Sequence, residues 1–541
     1  MVRGLLSGTG TFDPTFLTVV GGFVAPGGGD RVGTLTVRSD VILASASALF
    51  IDVQRGSADK LVVTGDATST GVLAINGATL VVNKVGAAPR HGEAYTIASA
   101  TGGIDGTFGS IFSFQGVLRP ELAYGANDIV ATLRAGSLAV QLGQSTASAQ
   151  AFASALDTLR TTSYASLWNL YGAVDLMAPG QLGATLDGLT PRILGESSLL
   201  QDRQSRMLMA NVVDRLAVTG TGRAGGLSVI GDAGGFVRSL NGTQATSQAF
   251  SGLSQSSEVA GRLPSGVTGF IASGTTTGNA SYGGSARLGG GRSGNWMGMG
   301  LEFSAGGRTT VGTATGFATA TSSPAGDRTD SRTFQVAGYA THDLGGGAYL
   351  GGVGSFETAH LDADRLGFDG TNLLALSGAT DSRRIGLIGE AGKAFGLGAG
   401  LTLTPRVRLA YDRQALAGFR ERGGETALAV DSLTRERLEA KLGFALAGAT
   451  PVGNGWRFSP QVQADFARRI AGDGSTMVVR FAGAPGTGIA LPLADSSRTW
   501  GEARAALRLD NGTIAFSAGA ETAFGAAYRD DRALAGFTMR F

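Results

Sequence analysis

The chain is 541 residues long, with 88 glycines, 13 prolines and no cysteine, and its 44 Lys and Arg are matched by 42 Asp and Glu. That length predicts two or three structural units rather than one. The glycines follow no G-X-Y period, which excludes collagen and argues against a helix-rich soluble enzyme. The charge balance lacks the basic excess of a nucleic-acid-binding surface, and the absence of cysteine removes disulfide frameworks and thiolate metal sites. Neither a nucleic-acid partner nor a cofactor is expected.

No run reaches the roughly 20 apolar residues that a membrane helix needs. The longest candidate, 16–25, is interrupted by Gly21 and Gly22. The first residues, Met1-Val2-Arg3-Gly4-Leu5-Leu6, lack the apolar core of a signal peptide. For an exported protein, an export signal and further sequence are therefore expected upstream of Met1.

Residues 33–133 show short β-like runs at 33–37, 48–53, 60–63 and 78–82, separated by Gly, Asn and Asp. Spacing of about 12–20 residues suits coils of a parallel β-helix, each burying its face on its neighbours. A soluble β-sandwich is the alternative. From 144 to 216 Ala, Leu, Ser and Gln replace β-branched residues, and Leu156, Leu159, Leu167, Leu170 and Val174 recur at helical spacing. The segment 198–216 reads as the cleanest helix, and 219–265 is rich in Gly, Ser and Thr.

Beyond residue 266 the period changes to two. In 401–412, Leu401, Leu403, Pro405, Val407, Leu409 and Tyr411 share one parity, opposite Thr402, Thr404, Arg406, Arg408 and Asp412. A strand sends alternate side chains to opposite faces, so one face is apolar and the other charged. Trp456, Phe458, Val462 and Phe466 repeat the pattern against Arg457, Gln461, Gln463 and Asp465.

Segments of about 9–13 residues can cross a hydrocarbon layer when tilted. Short turns such as Asp510-Asn511-Gly512 alternate with long polar stretches at 413–436 and 469–497. These features predict an antiparallel transmembrane barrel of twelve strands, near 266–275, 295–303, 308–321, 331–344, 347–362, 382–397, 401–412, 437–449, 456–468, 498–509, 512–524 and 533–541. A further hairpin within 476–490 would change the count. Arg406, Arg408, Glu439, Arg457, Glu502, Arg504 and Arg508 are expected to face the lumen. Tyr411, Trp456, Phe466 and Trp500 are expected in the lipid-facing aromatic girdle. Pro405 and Pro460 count against central strands but stand near strand starts.

Asp59-Lys60-Leu61-Val62-Val63-Thr64-Gly65, Tyr95-Thr96-Ile97, Gly102-Gly103-Ile104-Asp105-Gly106-Thr107-Phe108, Tyr124 and Asn127-Asp128-Ile129-Val130-Ala131-Thr132-Leu133 resemble the closing segment of pertactin-like autotransporter passengers. Ala155-Leu156-Asp157-Thr158-Leu159 and Leu186-Asp187-Gly188-Leu189-Thr190-Pro191 resemble the helical stretch that follows, and the barrel ending in Phe541 resembles the translocator domain.

The resemblance covers nearly the whole chain. It implies an all-β fold with a helical linker: a passenger β-helix end over 1–135, a linker over 136–265 and a translocator barrel over 266–541. It also implies a helix inside the pore ahead of the first strand, with 219–265 as an insertion. Phe537, Met539 and Phe541 would form a terminal signature for the barrel-assembly machinery.

The three histidines, His91, His342 and His360, lack HExxH spacing, and neither a G-x-S-x-G elbow nor a G-x-x-x-x-G-K-[ST] loop occurs. Catalysis is not expected. The expected function is an outer-membrane translocator that anchors and displays an amino-terminal passenger, with outer-membrane lipids and the assembly machinery as partners. The alternative is a surface adhesin that meets host cells through that passenger. A plain porin would leave 33–133 without a purpose.

Overall fold

In a computed structural model of the chain, residues 1–191, 205, 267–282, 285–324, 327–472, 476–492, 498–525 and 528–540 are described. The amino-terminal part is a three-sided coil. Its strands fall in turn into three sheets, one running through Phe23–Pro26, Ala48–Gln54 and Thr79–Lys84, a second through Val41–Leu43, Leu73–Asn76 and Ile104–Thr107, and a third through Thr34–Arg38, Lys60–Thr64 and Ala94–Ala100. Successive coils pair in parallel, Leu35 beside Leu61 beside Ala98, and Val41 beside Leu73 beside Ile104. Identical parity on every coil stacks Leu35, Val37, Leu61, Val63, Leu49 and Leu80 into one dry interior. Parallel pairing rules out the sandwich.

Buried Asp59 ties the coils together, accepting the backbone N–H of Gly33 at 2.7 Å and of Asp52 at 2.9 Å. Its neighbour Gly27 has φ +81°, and a Cβ there would lie 2.4 Å from Asp59 Oδ1, so only glycine fits. The stack ends where Asp128–Ala135 pairs antiparallel with both Ala94–Ala100 and Leu118–Tyr124. The reversal takes up the sheet edge that another coil would need.

Four helices follow: α1 (Leu138–Leu142), α2 (Ala147–Thr162), α3 (Trp168–Val174) and α4 (Pro179–Gly188). Ser137 and Thr146 cap α1 and α2, each side-chain oxygen accepting a backbone N–H three residues on, from Val140 and Ala149. Phe152, Leu156, Leu159, Leu167 and Leu170 are fully buried. No described helix is long and apolar enough to cross a membrane. The expected helix at 198–216 lies outside the described residues except for Ser205, which is helical and buried.

The carboxy-terminal part is a closed antiparallel barrel. Its twelve long strands are Val267–Tyr282, Ser285–Ala305, Thr309–Pro324, Arg328–Gly345, Ala348–Phe368, Leu373–Lys393, Leu401–Leu416, Leu433–Ala447, Trp456–Ala471, Thr499–Asp510, Ile514–Gly525 and Tyr528–Arg540. The first pairs with the last, Ile271 opposite Met539 and Thr277 opposite Ala533, so the sheet has no free edge. One rim carries turns such as Asn511–Thr513, closed by the Asn511 side chain; the other carries the two longest loops.

The expected count of twelve holds, and most strands run beyond their expected ends. The hairpin left open at 476–490 exists but stands outside the barrel. Thr476–Phe481 and Ala484–Pro492 join Phe419–Arg420 and Leu428–Val430 in a separate four-stranded sheet built from both long loops.

Candidate functional site: the barrel wall and its mouth

The barrel is turned inside out relative to a water-soluble domain. Met299, Leu301, Phe303, Phe317, Val407, Leu409, Leu442, Phe444, Leu507 and Phe516 are exposed on its outer wall, while Arg384, Glu390, Arg406, Glu439 and Lys441 are buried within. Polar residues on the outer face are satisfied locally: the Thr313 hydroxyl donates to the Ala337 carbonyl at 3.3 Å, and that of Thr315 to the Gln335 carbonyl at 3.2 Å. A hydroxyl facing hydrocarbon has no water to bond, so the backbone of the next strand takes its place.

Inside, opposite charges meet on the inward faces of the strands, between directly paired residues for Arg408–Glu390 and Arg437–Asp412 and across an intervening strand for Arg406–Asp465 and Lys441–Glu502. Arg406 donates to Asp465 at 2.7 Å and to Gln463 at 3.1 Å. Arg408 donates to Glu390 at 2.8 Å, and Glu390 also accepts from the Tyr349 hydroxyl at 2.7 Å. Asp412 sits between Arg384 at 3.2 Å and Arg437 at 3.1 Å. Glu502 accepts from Lys441 at 2.6 Å, and Arg508 meets Asp510 at 3.3 Å. Removing either member of such a buried pair strands a charge.

Of the expected lumen residues, Arg406, Arg408, Glu439, Glu502, Arg504 and Arg508 lie on the inward parity; Arg457 shares it but is exposed at the short-turn rim, opposite Asp510 in register. The wall also meets the segment expected in the pore at one described point, where Gln335 Nε2 donates to Ser205 Oγ at 3.4 Å.

Three of the four expected girdle aromatics lie on the outward parity. Tyr411 lies between Leu387 and Leu438, Phe466 is exposed, and Trp456 stacks on Phe516 at 6.3 Å. Trp500 does not belong with them. It shares parity with Glu502 and Arg504, is buried against Ala467 and Ala523, and donates its indole N–H to Glu502 at 2.7 Å. Its place at a strand end suggested the girdle; its parity places it inside. Phe537 is outward and touches Phe516 at 5.6 Å. The Met539 backbone pairs with Ile514 and Ile271, and Phe541 lies outside the described residues.

At the mouth, Arg365 anchors the loop after Leu401–Leu416. Its guanidinium donates twice to Glu421 at 2.7 Å and once to the Thr426 carbonyl at 3.0 Å, all buried. The four-stranded loop sheet lies against the helices: Leu428, Val430, Met477, Val479, Phe481, Ile489 and Leu491 share one core with Phe152, Leu156, Leu159, Leu170 and Leu182. Sequence reading missed this platform, although Met477, Val479 and Phe481 alternate as a half-buried strand should.

Between coil and helices, Arg160 forms a bidentate pair with Asp175 at 2.7 Å and lies over the Tyr171 ring at 4.6 Å. Burial and nearby Arg160 lower the His91 pKa, and its Nδ1 accepts the Ala135 N–H at 3.0 Å as a neutral ring can. His342 meets the Thr309 hydroxyl and His360 meets Asp381, far from His91 along the chain.

Residues 266–521 match the family model of the autotransporter beta-domain. A search of curated proteins returned no match. Among solved structures, the translocator domain of the autotransporter NalP from Neisseria meningitidis is 18% identical, covering 55% of this chain and 96% of that one with a TM-score of 0.39. The beta domain of the Bordetella autotransporter Brka is 16% identical, covering 51% and 100%, with a TM-score of 0.37. The transport unit of AIDA-I from Escherichia coli is 13% identical, covering 51% and 91%, with a TM-score of 0.32. A beta-domain of this family is an outer-membrane translocator, and that is the role and the location of this barrel. Residues 266–521 of the chain are therefore an autotransporter beta-domain.

Proposed function

We propose that the barrel anchors the chain in the outer membrane and displays residues 1–135 as a passenger on the cell surface, without catalysis by the part seen here. The observation that carries this reading is the shared core between the helices and the loop sheet. It seats the coil on the long-loop rim, which in an outer-membrane barrel is the outer one. The lipid contact is the apolar outer wall, and the assembly machinery would read Phe537, Met539 and Phe541.

Intact cells treated with protease should lose an epitope placed within residues 1–135 while the barrel band survives. An epitope protected until the cells are lysed would overturn display. Phe541→Asp should abolish recovery of the chain in the outer membrane; an unchanged yield would remove the terminal signature from the account.

A further inference from the structure

The outer wall does not stay apolar to its long-loop end. On Arg328–Gly345 the outward residues run Ala340, Gly338, Val336 and Phe334, and then Arg332. On Leu373–Lys393 they run Leu387 and Ile385, and then Arg383. Two strand residues span about 7 Å, so each guanidinium stands at headgroup level while its stem lies on the hydrocarbon.

Other outward arginines carry their own carboxylates. Arg328 meets Asp330 at 2.7 Å and Arg529 meets Asp531 at 2.8 Å, each two residues along the same strand. Arg413 meets Glu436 on the next strand at 3.4 Å. By the same spacing the partner of Arg383 would be Asp381, but His360 takes that carboxylate, its Nδ1 lying 2.7 Å from Asp381 Oδ1. His360 Nε2 also lies 3.4 Å from Asp362, the carboxylate that Arg332 reaches only at 3.7 Å. Among the described residues no carboxylate meets Arg383.

Arg332 and Arg383 border one open cleft of about 530 Å³ on the wall. Strand register explains its shape. Phe317, Phe334, Thr358 and Arg383 lie in one row across four strands, and Thr319, Arg332, His360 and Asp381 in the next. Phe317 and Phe334, with rings 4.8 Å apart and both exposed, form one side. The small Thr358 leaves a depression between Phe334 and Arg383. The cleft thus joins an aromatic floor to an unpaired cation at the edge of the hydrocarbon.

We propose that this cleft binds a phosphate-bearing, acylated glycolipid of the outer leaflet, with the phosphate on Arg383 and Arg332 and an acyl chain along Phe317 and Phe334. A guanidinium matches a phosphate, which accepts two parallel N–H bonds from it. An acyl chain continuing below that phosphate meets the two rings. The inference rests on the display reading, which turns the long-loop rim to the outside.

Lipid retention by the full chain in detergent micelles, read by native mass spectrometry with lipid A as the probe, tests the proposal. Arg383→Gln should weaken retention about tenfold, through loss of a charge-assisted pair, with the heat-dependent gel shift of the barrel unchanged. Arg413→Gln, on the same wall but at an arginine already paired with Glu436, should retain as much as the parent. Lipid A stripped of its phosphates should bind the parent no better than intact lipid A binds Arg383→Gln. Equal retention by Arg383→Gln and the parent, or equal binding of the stripped lipid, would overturn the proposal. So would displacement of lipid A by inorganic phosphate as readily as by free lipid A. Failure of the display reading would show instead in the intact-cell protease assay, since micelles impose no orientation.

Discussion

The coil and the barrel use the same alternation of side chains and draw opposite conclusions from it. In Lys60–Thr64 the apolar residues Leu61 and Val63 point inward and are completely buried. In Leu401–Leu416 the apolar residues Val407 and Leu409 point outward, and Arg406 and Asp412 fill the interior. The backbone rule is common to both, and the solvent differs. Water outside drives Leu61 into a shared core, worth roughly 25 cal/mol per Å² of apolar area buried. Hydrocarbon outside removes that incentive, so Leu409 gains nothing by turning inward. What cannot face lipid is charge, and charge is collected in the lumen.

Putting a charge on each apolar face breaks the comparison most sharply. Leu61→Lys leaves an unpaired ammonium in the coil interior and should destabilise that part by more than about 4 kcal/mol, read as loss of protease resistance in residues 1–135 while the barrel remains folded. Leu409→Arg should cost about 2–4 kcal/mol, the penalty for a cation near the middle of the lipid face, and lower folded yield in vesicles. Its inward neighbour sharpens the point, because Ala410→Lys should fold nearly as well as the parent. Equal damage at 409 and 410 would contradict the assigned faces.

The smallest effect concerns pH and only the coil. Burial pushes Asp59 from 3.8 up to about 6, against the pull of its two backbone N–H partners. Between those values the folded coil holds a proton that the unfolded chain has released. The site's contribution therefore falls as pH rises from about 4 to about 6 and is regained on acidification, by at most about 3 kcal/mol. Thermal unfolding of the coil should shift upward from pH 7 to pH 4.5 in the parent and less in Asp59→Asn; equal shifts would remove Asp59 as the cause.

Most of this architecture was legible because each strand had one clean face. Segments such as 401–412 and 456–468 declare themselves, since lipid demands apolar residues at every second position. Strand ends near the long-loop rim were not legible: Arg328, Asp330 and Arg332, or His360, Asp362 and Asp364, put charges on the outer face, so alternation fades although pairing continues. The glycine- and threonine-rich early strands carried little pattern for the same reason. Trp500 was misplaced because an indole at a strand end suits an interface and a lumen equally, and only the parity set by Glu502 decides. The lumen residues could be named, but not their partners, since pairs such as Arg406 with Asp465 depend on register between strands far apart in sequence. The loop platform was hidden because its strands are short and come from two separate loops, so no continuous segment announces a sheet.

The central claim is a sealed ring of strands with lipid outside and charge within, and the absence of native cysteine permits a direct test. Single cysteines at residues 405 to 411, in chain reconstituted into lipid vesicles and labelled with a fluorophore, should alternate. Labels at 407, 409 and 411 should be quenched by a lipid-soluble quencher, and those at 406, 408 and 410 should be insensitive to it. Uniform quenching by a water-soluble agent along the whole strand, or lipid contact on the Arg406 and Arg408 parity, would contradict the account.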